Sequence, residues 1–208
     1  MIRVALLAGG NYTPLGKDFD LYVGIDRGAL TLLEQGYSLD WAVGDFDSVS
    51  DSEMSQIALS GAKIYQSPAE KNDTDTELAL KLVFRHYPKA RVTVFGAFGG
   101  RLDHFLANIF LPSDSQIAPY MRQICLVDNC NIVSYLPQGN HVFDAHPQMT
   151  YLAFMTDQDT TLTILGAKYD LTAANFFQKK IYSSNEAIGK PISVTVPKGY
   201  VVVIESKD

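Results

Sequence analysis

The chain has 208 residues, enough for one large domain or two small ones, and 47% of them are hydrophobic against 19% charged, the balance of a soluble globular protein. A net charge of −6 argues against an extended nucleic-acid-binding face, which needs a basic surface. No apolar run approaches membrane-spanning length, no charged-then-apolar leader is visible, and Cys125 and Cys130 are too few for a disulfide framework. The expectation is a cytoplasmic protein with two free thiols and no membrane partner.

The first half alternates strand and helix signals. Apolar runs at Val4–Ala8, Leu21–Ile25, Trp41–Val43, Lys63–Tyr65 and Val92–Phe95 read as strands. Helical periodicity fills Arg27–Gln35, Asp51–Leu59, Asp75–His86 and Leu102–Phe110. That alternation predicts an α/β domain with a parallel sheet, to which Ile124–Val127 adds one strand after a loop-like stretch at Pro112–Ser115. After about Asn129 the helical period disappears. Short runs at Ile132–Leu136, Met149–Phe154, Thr160–Ile164, Ile181–Ser183, Ile192–Val196 and Tyr200–Glu205 follow. Turn residues at Pro137–Asn140 and Pro197–Gly199 separate some of them. The expectation is an α/β domain over residues 1–128 and a smaller all-β sandwich over 129–208.

Ligands of parallel sheets sit beyond the carboxyl ends of the strands, so the strand-to-helix junctions are where chemistry is sought. The first is Ala8-Gly9-Gly10-Asn11, where missing Cβ atoms would let a ligand approach the backbone, or simply allow a turn. The second carries Asp26, which also stands where a helix cap is expected. The third is Gly44-Asp45-Phe46-Asp47-Ser48. In extended geometry the i, i+2 spacing puts both carboxylates on one side, a site for a hard divalent cation, although Asp47 or Ser48 could instead cap the next helix.

At the fourth junction, Lys71-Asn72-Asp73-Thr74-Asp75-Thr76-Glu77, a capping box from Thr74 to Glu77 explains the helix start. It leaves Lys71 and Asp75 over. Lys71 stands before a helix N-terminus, placed for a phosphate. The fifth, Gly99-Gly100-Arg101-Leu102-Asp103-His104, offers glycines, an Arg suited to bidentate phosphate contact, and an imidazole that is structural or nucleotide-facing. Acids and cations on one edge of one sheet, among glycine turns, fit Mg²⁺–nucleotide chemistry.

Taken in order, Asp26-Arg27-Gly28-Ala29, Gly44 to Ser48, Lys71 to Asp75, Gly99 to His104 and the later Ser184-Asn185-Glu186 resemble the motif series of thiamine pyrophosphokinases. The resemblance implies transfer of the pyrophosphoryl group of ATP to the hydroxyl of thiamine, giving thiamine diphosphate and AMP. An alternative acceptor would be another heterocyclic alcohol, such as a pterin. It also implies a homodimer whose active site lies between one subunit's first domain and the other's second. By the resemblance Asp45, Asp47 and Asp75 are Mg²⁺ ligands and Asp26 lines the reaction site. The nucleotide falls to Lys71, Thr74, Arg101 and Asp103, with Gly9, Gly10, Asn11, Asn72 and His104 beside it. Ser184 and Asn185 belong to the thiamine pocket. The family commonly has Asp-Gly-Gly where this chain has Asp26-Arg27-Gly28, and an Asp where this chain has Asn72.

Overall fold

A strand buried along its whole length has both faces covered, and Val4 to Leu7 are all buried. They lie in β1 (Arg3–Leu7), near the middle of a parallel sheet in the computed structural model, which describes residues 1–12, 14–68, 70 and 72–208. The chain forms two compact units, Met1–Asn129 and Cys130–Asp208.

In the first unit β2 (Leu21–Ile25), β3 (Trp41–Gly44) and β4 (Lys63–Gln66) extend the sheet on one side of β1. On the other side lie β5 (Arg91–Phe95) and β6 (Ile124–Val127), all parallel, in the order β6-β5-β1-β2-β3-β4. The helices are α1 (Arg27–Glu34), α2 (Asp51–Leu59), α3 (Asp75–His86) and α4 (Leu102–Ile109). The chain leaves β1 in one direction and returns to its other side at β5, so the strand order reverses between β1 and β5. Crevices open at such reversals.

Helix starts follow local chemistry. Thr74 caps α3 with Glu77 completing the box, as its spacing predicts. The cap of α2 is neither Asp47 nor Ser48 but Ser50, because Glu53 three residues on completes a box there. Asp26 precedes α1 yet its side chain makes no capping bond. The stretch read as a loop after α4 contains two short 3₁₀ helices, Leu111–Ser113 and Ala118–Gln123, each with Pro in its first turn.

The second unit is antiparallel throughout, and no helix occurs in it among the described residues. Its strands are β7 (Asn131–Phe143), β8 (Tyr151–Thr156), β9 (Thr163–Leu165), β10 (Ile181–Glu186) and β11 (Ile192–Ser206). Pro137–Asn140 and Pro197–Gly199 do not separate strands, contrary to expectation. Both lie inside long strands, β7 and β11. Pro137 pairs with Tyr200 and Gly139 with Val196, so Gln138 alone opposes three residues. This bulge divides β11 into a first part that carries β9 and a second that carries β8. Val194 and Val196 from one part share a core with Val201, Val203, Phe154 and Ile164, which is how the sandwich closes.

Candidate active site

The carboxyl ends of β1, β2, β3 and β5 open on a cleft of about 680 Å³ in the first unit. Three carboxylates meet in it. Ligand-capable oxygens of Asp26, Asp45 and Asp75 all lie within 4.8 Å of one another, and each residue is partly buried. The three come from three junctions, after β2, after β3 and at the start of α3. Converging carboxylates are mutually repulsive, and the three could hold a cation between them. An all-oxygen donor set of this compactness fits Mg²⁺.

Asp47 lines the same cleft but is exposed and lies outside that trio. The reason is local. β3 ends at Gly44, and Phe46 adopts a left-handed φ of 59°, so the alternation expected of an extended chain does not apply. Instead the Phe46 side chain turns into the core between the two acids, and the Asp47 N–H donates to Asp45 Oδ1 at 3.2 Å. A left-handed non-glycine residue costs on the order of 1–3 kcal/mol. Burying a Phe side chain returns a similar amount, about 1.5–3 kcal/mol. The hydrogen bond from Phe46 N–H to Asp26 Oδ1, 3.2 Å, adds to the favourable side. Asp26 is itself strained, with φ 45°, and its carboxylate reaches across to the turn after β3 rather than capping α1.

The glycine junctions divide by role. A Cβ on Gly9 would meet nothing within 4 Å, so Gly9 leaves the cleft floor open. At Gly10 the space is taken by protein: a Cβ would lie 2.4 Å from the Gly96 carbonyl oxygen. Gly10 N–H donates to that same oxygen at 2.9 Å, and Asn11 N–H to Phe98 O at 3.2 Å. The loops after β1 and β5 are thus stitched together, and Asn11 serves that stitch rather than lining the cleft.

Thr74, Arg101 and His104 line the cleft with the acids. Asn72 and Asp103 do not; both are exposed. Asp103 pairs with Arg101 at 2.5 Å, and that guanidinium holds its carboxyl below the usual carboxylate range. Lys71 falls outside the described residues. Among the polar cleft residues that sequence reasoning did not assign are Asn108 and Asp73. Asn108 lies one helical turn beyond His104 on α4, buried, with its Nδ2 donating to the Ala97 carbonyl at 2.9 Å. The i, i+4 spacing from His104 was its available signal. Asp73 sits in the capping motif itself. It is held by Lys81 at 2.9 Å, which also reaches Asp114 at 2.7 Å. Burial draws the Lys81 pKa down, but the hydrogen bonds its ammonium donates to Asp114 and Asp73 outweigh burial and leave it raised.

Ser184 and Asn185 lie in a separate cleft of about 660 Å³ in the second unit. Ser184 is exposed, with φ 62°. Asn185 is 5% exposed and spends its amide on protein: Oδ1 accepts from the N–H groups of Tyr169 and Glu186, and Nδ2 donates to the Tyr169 carbonyl. Its effect is to hold Tyr169. That ring and Phe177, 59% and 55% exposed, line the same cleft. Neither ring stands out in the sequence.

Residues 12–119 match the family described as thiamin pyrophosphokinase, catalytic domain, and residues 140–201 match thiamin pyrophosphokinase, vitamin B1 binding domain. The thiamine pyrophosphokinase of Bacillus subtilis (strain 168) is 30% identical, with the whole of both chains covered. A crystal structure of a thiamin pyrophosphokinase family protein from Enterococcus faecalis has a TM-score of 0.93 at 40% identity, covering 99% of each chain. Thiamin pyrophosphokinase from Candida albicans, only 18% identical, shares the fold with a TM-score of 0.82 over 99% of this chain and 89% of that one. With both halves matched in order and a relative aligned from end to end, the chain belongs to the thiamine pyrophosphokinase family.

Proposed function

We propose that the first unit binds Mg²⁺–ATP in the acidic cleft and that the second binds thiamine in the cleft lined by Tyr169, Phe177 and Ser184. The protein transfers the pyrophosphoryl group of ATP to the thiamine hydroxyl, giving thiamine diphosphate and AMP. The convergence of Asp26, Asp45 and Asp75 in the cleft at the carboxyl ends of the strands carries this reading.

Asp45 and Asp75 hold Mg²⁺, with Asp26 beside them and Asp47 completing the set from the exposed turn. When bound, the cation neutralises phosphate charge and polarises the phosphorus under attack. The chain's own part is positioning and charge. Arg101 and Lys71 take phosphate oxygens. The open backbone at Gly9 admits the nucleotide, and Thr74 starts α3 with its N–H groups towards the anion. The two exposed rings of the second cleft suit a heteroaromatic cation, which gains from aromatic faces. Asp26 or Asp47 accepts the proton of the attacking hydroxyl.

The two clefts belong to different units, and by the resemblance the active form is a homodimer in which each nucleotide cleft faces the partner's acceptor cleft. The location is cytoplasmic, where ATP is available and Cys125 and Cys130 remain thiols. Incubation with ATP, Mg²⁺ and thiamine should yield AMP and thiamine diphosphate in equal amounts by mass spectrometry, and neither without thiamine. AMP formed only with a pterin alcohol would reassign the acceptor.

The shared site has its own test. Asp45→Asn and Ser184→Trp, the latter filling the second cleft, should each be inactive alone. Refolded together as a mixture they should regain about a quarter of wild-type activity, since half the dimers are mixed and each has one intact site. No recovery from mixtures shown to contain mixed dimers would place the whole site within one chain.

A further inference from the structure

Consecutive residues grip one turn from both ends. Asp26 Oδ1 accepts from Phe46 N–H at 3.2 Å, and Arg27 Nη1 donates to the Ser48 carbonyl at 2.9 Å. Between those two points stands Asp47. The Arg27 guanidinium is itself held from a third element: Nη2 donates to Glu53 Oε1 at 3.1 Å, in the first turn of α2. Glu53 at the same time receives the Ser50 N–H at 2.8 Å in the capping box. The turn after β3 is therefore tied to the start of α1 and the start of α2 through one side chain.

We infer that Arg27 is a positioning residue for the cation-binding turn: through the Ser48 carbonyl it sets where Asp45 and Asp47 stand, and Glu53 fixes its guanidinium in that task. The inference rests on the reading of the acidic cleft as an Mg²⁺ site.

Charge makes the same point. Arg27 lines the cleft that holds three carboxylates, and a free cation there would compete with the metal. Bidentate geometry turns the guanidinium towards Glu53, whose carboxyl is lowered to about 2 by the Ser50 backbone and side-chain hydrogen bonds first and by Arg27 next. Glu53 is therefore charged throughout the working pH range, and its charge offsets that of Arg27. Lysine could supply the charge, but without a planar fork it could not hold Glu53 bidentately while donating to the Ser48 carbonyl. Exposed ion pairs add little to stability, and the Arg27 side chain is 52% exposed, so the effect sought is on the site and not on the fold.

The test is Mn²⁺ binding to the full-length protein without nucleotide, by electron paramagnetic resonance, alongside kcat and the KM for thiamine. Arg27→Ala should weaken Mn²⁺ binding about five- to tenfold and lower kcat by a similar factor, with the thiamine KM unchanged and the melting temperature within about 2 °C. Arg27→Lys should recover less than half of the loss. Glu53→Gln, which can still form the capping box, should weaken Mn²⁺ binding, and adding it to Arg27→Ala should cost nothing more. Wild-type Mn²⁺ affinity in Arg27→Ala, or full recovery in Arg27→Lys, would overturn the inference. If the wild-type protein itself fails to bind Mn²⁺, it is the cation-site reading that falls.

Discussion

Asp45→Asn should lower turnover about a thousandfold, equivalent to roughly 4 kcal/mol in the barrier, while the protein stays folded. The substitution keeps the side chain's size and its oxygen acceptor for the Asp47 N–H, and removes only charge. Activity alone would not separate a lost metal from a distorted turn, so thermal unfolding supplies the second readout. A ligand that binds only the native state stabilises it, by about 2.7 kcal/mol at a hundredfold excess over its dissociation constant. Mg²⁺ should therefore raise the melting temperature of the wild-type protein, and Asp45→Asn should lose that increment. Retention of both turnover and the Mg²⁺ increment would remove Asp45 from the site.

Gly44→Ala should have the next largest effect, although Gly44 touches no ligand. Its φ of 149° suits glycine, and a Cβ there would lie 1.9 Å from Asp26 Oδ1 and 2.7 Å from Asp26 Cγ. Asp26 must then leave the Phe46 N–H and the carboxylate trio, or the backbone must shift. The expected cost is about 1–3 kcal/mol of stability from strain. Turnover should fall about a hundredfold from misplacing the acids, the penalty of roughly an ångström's displacement at a reacting centre. Denaturant unfolding and steady-state kinetics on one preparation check both. Turnover within twofold of wild type would show that Asp26 need not stand where it does.

The fold was largely legible because its signals are local. Capping boxes at Thr74 and strand runs such as Leu21–Ile25 and Ile124–Val127 carry their own boundaries. The second unit was read as shorter strands because Pro137 and Gly199 carry a turn signature. A bulge in a long antiparallel pair uses the same residues, and only the partner strand decides between the two. The site was legible as a set of junctions, since acids and glycines cluster there. Its internal geometry was not. That Asp26 joins Asp45 and Asp75 while Asp47 stands outside depends on Phe46 turning into the core against an unfavourable φ, a tertiary choice that no spacing announces. Tyr169 and Phe177 escaped for a related reason: hydrophobic side chains look alike in sequence whether they fill a core or line a cleft.

The stitch between the loops after β1 and β5 has a consequence for how the protein is made. β1 pairs with β5 at Arg3↔Arg91 through Leu7↔Phe95, so these two walls of the acidic cleft are further apart in sequence than any other parallel strand neighbours in the first unit. During synthesis β2, β3 and β4 can join β1 as each emerges, and the trio of acids can assemble from them and α3. The opposite wall must wait for β5, and a closure of that length comes at an entropic cost before any contact rewards it. An emerging chain can therefore carry its acids before the cleft has its second wall, which closes only when β5 pairs with β1.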